Sequence, residues 1–149
     1  MNSNELIKVI FRTLMDEYGY SFARDLYSPE FMGNAEVVFA SDKTGIRIVV
    51  DRGQVFVNIG PLLQPKDEWV DLENVVHFYA PRVKGVYLFQ RSNQSYSDIE
   101  SQANWVVYVL RKYCKPLLKG NLSDYDRIKE IERKRVREMI ETYQRRCRK

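Results

Sequence analysis

The stretch IRIVVDRGQVFVNIG, residues 46–60, predicts two antiparallel strands joined by a tight turn. β-Branched and aromatic residues fill both arms, in the alternating pattern of strands with one buried face. The polar break between the arms consists of Asp51, Arg52, Gly53 and Gln54. Gly53 suits the positive φ that a two-residue hairpin needs, and Asp51 is placed to accept hydrogen bonds from nearby amides. We treat these four residues, the DRGQ turn, as a candidate motif.

Runs on either side of this hairpin extend it into an α+β fold. The run AEVVFAS at 35–41 predicts a third strand, and the turn signal SDKT at 41–44 follows it. Residues 20–33 carry a weak strand pattern, and residues 86–90 suit either a fourth strand or the lead-in to a helix. We therefore predict an antiparallel sheet of three to five strands, packed with an N-terminal helix and two longer C-terminal helices.

Apolar spacing and capping residues predict four helices. The first opens with a capping box at residues 2–5. The residues expected on its buried face are Leu6, Ile10, Leu14 and Tyr18, with Val9 and Phe11 flanking them. Asp71 is placed to cap a short second helix, and a capping box at residues 97–100 opens the third. The last helix is predicted to begin at Ser123 or Asp124.

The charge of the chain is unevenly distributed. Its 149 residues, the usual size of one domain, carry a net charge of +4. Residues 1–123 hold fourteen basic and fourteen acidic side chains, whereas residues 124–149 hold ten basic and six acidic ones. We predict a single α+β domain over residues 1–149, with a neutral body and a basic amphipathic C-terminal helix over residues 124–149.

The sequence favours a cytoplasmic protein. No run approaches the roughly 18 apolar residues of a membrane span, because charged residues interrupt every candidate. The N-terminal pattern is that of an amphipathic helix and lacks the apolar core of a secretory signal. Two cysteines far apart in the sequence fit a reducing compartment.

Residues that carry chemistry are few and isolated. His77 is the only histidine, and no nucleophile or set of metal ligands accompanies it at a useful spacing. Cys114 lies on a predicted apolar helix face, and Cys147 lies near the C-terminal end. No glycine-rich phosphate loop is present. We therefore predict no catalytic, metal or cofactor-binding residue, no cofactor, and a protein that is not an enzyme.

Basic clusters on the last helix form a candidate interaction surface. Its residues are Arg133, Lys134, Arg135, Arg137, Arg145, Arg146, Arg148 and Lys149. Basic side chains beside an apolar stripe suit a nucleic-acid backbone, an anionic lipid or an acidic partner. The alternative is a solvated helix whose acids neutralise its bases, with Glu130 pairing with Lys134 and Glu141 with Arg145.

Three short motifs resemble those of a group of small bacterial cytosolic proteins. The group shares an FGN, a strand ending in DRGQ, and a W-x-D-L that starts a helix. Here these read FMGN at 31–34, DRGQ at 51–54 and WVDL at 69–72, and the resemblance covers about residues 22–79. Some proteins of this kind are immunity proteins, which bind and block a bacterial toxin. The resemblance implies a binding function and assigns no catalytic residue.

Two functional hypotheses follow, and an enzyme of unfamiliar type is the remaining alternative. The first is a non-enzymatic binding protein with a protein partner, immunity-like in the sense of toxin neutralisation. The second is a nucleic-acid-associated module that uses the basic C-terminal helix. A homodimer formed through that helix is a further expectation, because a long amphipathic stripe at a chain end packs on its own body or on a neighbour.

Overall fold

The computed structural model describes residues 1–28, 34–88 and 98–148, and it confirms the predicted α+β fold class. Five strands form one antiparallel sheet in sequence order: β1 (Ser21–Ser28), β2 (Asn34–Ala40), β3 (Thr44–Asp51), β4 (Gln54–Pro61) and β5 (Val70–Asp71). The helices are α1 (Ser3–Tyr18), α2 (Leu72–Tyr79), α3 (Ile99–Tyr113), α4 (Lys115–Leu118) and α5 (Leu122–Cys147). A 3-10 turn at Lys66–Glu68 precedes β5.

The core lies between one face of the sheet and the helices. Alternate residues of the central strands line it, as the alternation predicts. They are Val37 and Phe39 on β2, Ile46, Ile48 and Val50 on β3, and Val55, Val57 and Ile59 on β4. Cross-strand pairs such as Ile46 with Ile59 place these side chains on one face and leave charged residues such as Arg47 on the other.

Helix α1 is capped as predicted, but its buried face is rotated. The Asn2 side chain accepts from the Glu5 amide at 3.0 Å, and Gly19 ends the helix at φ 76°. The fully buried residues are Ile7, Phe11, Leu14 and Met15. Leu6, Ile10 and Tyr18 are only half-buried, because the sheet contacts the neighbouring stripe of the helix. Spacing alone did not separate these two adjacent stripes.

Several element boundaries differ from their predictions. Helix α3 is capped by Asp98, which accepts from the Ser101 amide at 2.7 Å; Ser97, the first residue of the predicted box, lies outside the described residues. Helix α5 begins at Leu122, with Asn121 as its N-cap, rather than at Ser123 or Asp124. The described part of the 86–90 run forms no strand.

The two edges of the sheet differ. The short β5 pairs with Asn58 and Ile59 of β4, and side chains accept hydrogen bonds from the β4 amides that β5 does not reach. The Val57 amide donates to the Tyr87 hydroxyl at 3.2 Å, and the Val55 amide donates to Gln102 Oε1 at 3.0 Å. These bonds close an edge that would otherwise invite strand pairing. Strand β1 forms the other edge, and its register is shifted between Phe22 and Arg24.

Candidate interaction surface on the C-terminal helix

The first half of α5 is packed on the body of the protein. Tyr125 and Ile128 are fully buried, and the Tyr125 hydroxyl donates to the Glu68 carbonyl oxygen at 3.0 Å. The Tyr79 hydroxyl of α2 donates to Asp124 at 2.7 Å. These contacts hold the start of α5 against α2 and the segment before β5.

Glu132 ties the middle of α5 to the start of α2. One carboxylate oxygen accepts from the Asp71 amide at 3.3 Å and from Asn74 Nδ2 at 3.2 Å. The other oxygen lies 3.1 Å from Lys129 Nζ. A carboxylate at a helix N-terminus is favoured because the free amides of the first turn carry partial positive charge. One turn later, Arg135 donates to Asn74 Oδ1 at 2.5 Å and makes the last contact with α2 on this face.

Beyond these anchors α5 leaves the body. Every residue from 133 to 148 is exposed, and we call this segment the projecting half of α5. At 1.5 Å per residue it extends about 24 Å. The predicted amphipathic helix is therefore present, and only its first half has a surface to pack on within the described residues.

An apolar stripe runs along the projecting half. Its members are Val136, Met139, Ile140 and Tyr143, which are 44%, 65%, 49% and 68% exposed. Steps of three and four residues connect Tyr125, Ile128 and Glu132 to Val136, so the stripe continues the face that packs on the body. This face is buried as far as Glu132 and uncovered afterwards.

The basic candidates divide into paired and unpaired groups. Arg133 pairs with Glu130 at 2.7 Å, and Arg145 pairs with Glu141 at 3.9 Å. The pair of Arg145 with Glu141 confirms a prediction. The predicted pair of Glu130 with Lys134 is wrong: Glu130 pairs with Arg133, because residues three apart are also neighbours on a helix. Arg135 also lies 3.4 Å from Glu73. In the part of the chain that the structure describes, four candidates form no ion pair: Lys134, Arg137, Arg146 and Arg148. Lys149 lies outside that part.

Arginines border the apolar stripe on both sides. Along one edge, Arg133 is one turn from Val136 and Arg137 is one turn from Ile140, while along the other edge Arg135 is one turn from Met139 and Arg146 is one turn from Tyr143. The two acids of this segment, Glu138 and Glu141, lie on the far side of the helix. The stripe is thus framed by positive charge.

The DRGQ turn has a structural role. Arg52 and Gly53 both have positive φ, 51° and 78°, which defines a type I′ hairpin turn between β3 and β4. Asn34 braces it: Asn34 Oδ1 accepts from the Arg52 amide at 3.0 Å, and Asn34 Nδ2 donates to Asp51 at 3.2 Å. The sequence suggested Asp51 as the acceptor for the turn amide, but the Arg52 amide donates to Asn34 instead. Asn34, the described residue of the FMGN motif, therefore contacts the DRGQ motif directly.

Gln102 of α3 holds the same turn from its other side. Its side chain is 3% exposed, and its Nε2 donates to the Gly53 carbonyl oxygen at 2.8 Å. Within the described residues no hydrogen bond or ion pair joins the DRGQ turn to the basic candidates on α5. The two predicted sites are therefore separate.

The third motif, WVDL, packs the sheet and starts α2. Trp69 lies over the cross-strand pair Gly45 and Gly60 and donates from Nε1 to the Pro61 carbonyl oxygen at 2.9 Å. Asp71 caps α2 as predicted, accepting from the Glu73 amide at 2.8 Å. DRGQ, WVDL and Asn34 of FMGN take part in the bonds and packing of the hairpin and its neighbours, whereas Phe31, Met32 and Gly33 of FMGN lie outside the described residues.

Asp71 is a buried carboxyl that the sequence marked only as a cap. Burial raises its pKa from 3.8 to about 6, against the opposing effect of hydrogen bonds from the Glu73 amide and the Tyr87 hydroxyl, the latter at 2.8 Å. Nearby Glu73 and Glu132 add to the rise. The native state therefore binds this proton more tightly than the unfolded chain does.

Asp71→Asn is expected to remove a pH dependence of stability. Because the pKa is higher in the native state, the contribution of Asp71 is fully present below pH 3.8 and is lost as the pH rises through about 6. Asparagine keeps the cap and carries no charge. From pH 4 to pH 7, the free energy of unfolding of the variant should rise relative to wild type by about 2 kcal/mol, measured by urea denaturation. Asp126→Asn, at an exposed carboxylate of α5, is the matched control; a difference that does not vary with pH would contradict this account.

The remaining reactive side chains stand apart. His77 is exposed on α2. Cys114 is fully buried, and burial raises the pKa of its thiol well above the usual range; Cys147 is exposed, and both are free. Among residues 1–28, 34–88 and 98–148, no three His, Cys, Asp or Glu side chains group closely enough to hold a metal ion.

No protein-family model matches this chain, and neither a curated protein nor a solved structure matches it. The helices of the described residues include none with the length and apolar character needed to cross a bilayer. The fold and the exposed surface of α5 are therefore the observations that bear on function.

Proposed function

We propose that this chain is a non-enzymatic binding protein that holds a protein partner with the projecting half of α5. The observation that carries the proposal is the apolar stripe of Val136, Met139, Ile140 and Tyr143, left exposed on a helix that has left the body. Apolar side chains in a continuous row are normally covered, and a row rimmed by polar residues is typical of an interaction site.

The residue types of the surface support binding to protein. Tyrosine, methionine and arginine are enriched in protein interfaces, and tyrosine and arginine often dominate their binding energy. The projecting half presents Tyr143 and Met139 between arginines. The first half of α5 is anchored through Glu132, and Arg135 adds a bond to Asn74 at the start of the projecting half, so the helix is held in place before a partner arrives.

Toxin neutralisation is the form of this function that the resemblance suggests. An immunity protein needs a stable fold and a binding surface and performs no reaction of its own. A cytoplasmic location belongs to the same proposal and is supported by the two free thiols, Cys114 and Cys147. A toxin-like gene beside the coding locus would support this form; its absence would count against it.

The double variant Met139→Gln/Tyr143→Gln is expected to lose the partner and keep the fold. Both side chains are exposed, so the thermal unfolding midpoint should stay within about 2 °C of wild type. The wild-type chain and the variant serve as baits in lysate of the native host. Proteins retained by wild type alone are identified by mass spectrometry and purified, and their affinity should fall at least tenfold on the variant, about 1.4 kcal/mol.

The matched control is Glu138→Gln/Thr142→Gln, at two exposed positions of the same helix outside the stripe. It should retain the partner at unchanged affinity, because neither residue belongs to the stripe. A partner that binds wild type and Met139→Gln/Tyr143→Gln equally would show that the projecting half is not the recognition element.

Nucleic-acid binding is the second candidate, favoured by the unpaired Lys134, Arg137, Arg146 and Arg148. Residues 133–148 hold seven basic and two acidic side chains, enough for a sequence-independent contact with phosphates. Such binding would weaken steeply with salt and would not depend on Met139 or Tyr143. Absence of affinity for duplex or single-stranded DNA and RNA at low salt would eliminate it.

A further inference from the structure

We infer that the partner segment of the projecting half is an acidic amphipathic helix, which lies along the stripe in the corner between α5 and the body. This inference rests on the proposed function and specifies the chemistry of its partner. It follows from the direction in which the stripe faces, from its width and from the charges that frame it.

The direction of the stripe excludes a flat partner. Because Val136 continues the face on which Tyr125 and Ile128 are buried, the stripe faces the side of α5 on which the body lies. A planar surface, such as a bilayer, would meet α2 and the segment before β5 before it reached Val136. A rod about as wide as one helix fits into this corner and can run along α5.

The width and spacing of the stripe fit one helix. Val136, Ile140, Tyr143 and Cys147 follow each other at intervals of four, three and four residues, the spacing of a two-helix seam. Met139 widens this row to about two side chains. The row spans about 17 Å, or three helical turns, so its counterpart is a segment of similar length.

The framing charges determine the sign of the partner and argue against a second copy. Arg133 and Arg137 lie on one edge of the row, with Arg135 and Arg146 on the other. Two copies that met along this row would bring arginines of both chains together on each edge, which is unfavourable for like charges at such positions. Aspartate or glutamate at the flanking positions of a partner helix would instead pair with Arg137 and Arg146, one on each edge, which form no ion pair among the described residues.

The experiment uses synthetic helical peptides of about two heptads as the probes, with leucine and isoleucine on the seam and glutamate at the flanking positions. The intact chain is titrated at moderate salt with this acidic peptide and with two controls. One control carries lysine in place of glutamate, and the other keeps glutamate but carries serine on the seam. We expect the acidic peptide to bind at least tenfold more tightly than either control.

Two variants connect the binding to the surface. Met139→Gln/Tyr143→Gln keeps every charge and should weaken the acidic peptide at least tenfold. Arg137→Glu/Arg146→Glu should reverse the preference, so that the lysine peptide becomes the tighter ligand. All these residues are exposed, and unchanged circular dichroism and thermal unfolding establish that the variants are folded.

Other occupants give distinct results that would overturn the inference. One is attachment to vesicles containing anionic phospholipid that is lost in Met139→Gln/Tyr143→Gln. Another is a wild-type dimer in sedimentation experiments that the same variant dissociates. Equal binding of the acidic and lysine peptides would also overturn it. If no peptide binds while a purified host partner still depends on Met139 and Tyr143, the inference fails and the proposed function stands.

Discussion

Replacing Gly60 with alanine is expected to lower the free energy of unfolding by about 3 kcal/mol or more. This is the largest loss that we predict for any substitution that adds a single methyl group to this protein. A Cβ atom at this position would lie 2.5 Å from Trp69 Cγ, well inside van der Waals contact. The indole ring is only 7% exposed, and its Nε1 is bonded to the Pro61 carbonyl oxygen. The ring therefore has neither space nor freedom to move away. Urea denaturation measures the loss.

Two other glycines test the physical cause. Gly45→Ala should also be strongly destabilising, because a Cβ there would lie 2.8 Å from Cζ2 of the same ring. Gly19→Ala is the control: it has nothing within 4 Å but a φ of 76°, so only backbone strain of about 1 kcal/mol is expected. Equal losses for Gly19→Ala and Gly60→Ala would show that close packing on Trp69 is not the reason.

Gln102→Leu is expected to cost about 2–3 kcal/mol although leucine fills a similar volume. The change removes the acceptor of the Val55 amide and the donor to the Gly53 carbonyl oxygen. Val55 is fully buried, so its amide would lose a hydrogen-bond partner without gaining water. Denaturation measures the loss, and amide hydrogen exchange locates it, because Val55 should lose protection before Ile59, which is paired with Val70 of β5.

Asn104→Leu is the matched control for Gln102→Leu on the same helix. Asn104 is exposed, and its side chain bonds only the Glu100 carbonyl oxygen of its own helix. Its replacement should change stability by less than about 0.5 kcal/mol. If the two variants lose equal stability, or if Val55 keeps its protection in Gln102→Leu, the closure of the β4 edge by Gln102 is not a stabilising feature.

Local sequence pattern predicted most, but not all, of the structure of the central hairpin. Alternation within residues 46–60 predicted both strands and their buried residues, and Gly53 marked the turn. The positive φ of Arg52 was not predicted, because a non-glycine residue in this region is unfavourable by itself. The type I′ turn imposes it to match the twist of the strands, and Asn34 then supplies the acceptor for the Arg52 amide.

The motifs have structural roles that the residue types alone did not indicate. FMGN, DRGQ and WVDL are distinctive strings, and each invites a functional interpretation. In the structure Asn34 braces the turn, Trp69 covers two glycines, and Asp71 caps a helix. The candidate surface on α5 has no comparable string, and its basic clusters and apolar spacing are the signals that identified it.

Local sequence was sufficient for β2, β3, β4, α1, α2, α3 and α5, since helix caps, strand alternation and the amphipathic pattern of α5 depend on residues a few positions apart. The short strand β5 and the short helix α4 were not predicted. The packing of Trp69 on Gly45 and Gly60 depends on strand register. The hydrogen bonds that close the β4 edge join Val57 to Tyr87, 30 positions later in the sequence, and Val55 to Gln102, 47 positions later. The division of α5 into a docked and a projecting half likewise depends on where the body ends. The same apolar spacing is buried before Glu132 and exposed after it, because burial depends on the neighbouring elements and not on the spacing itself.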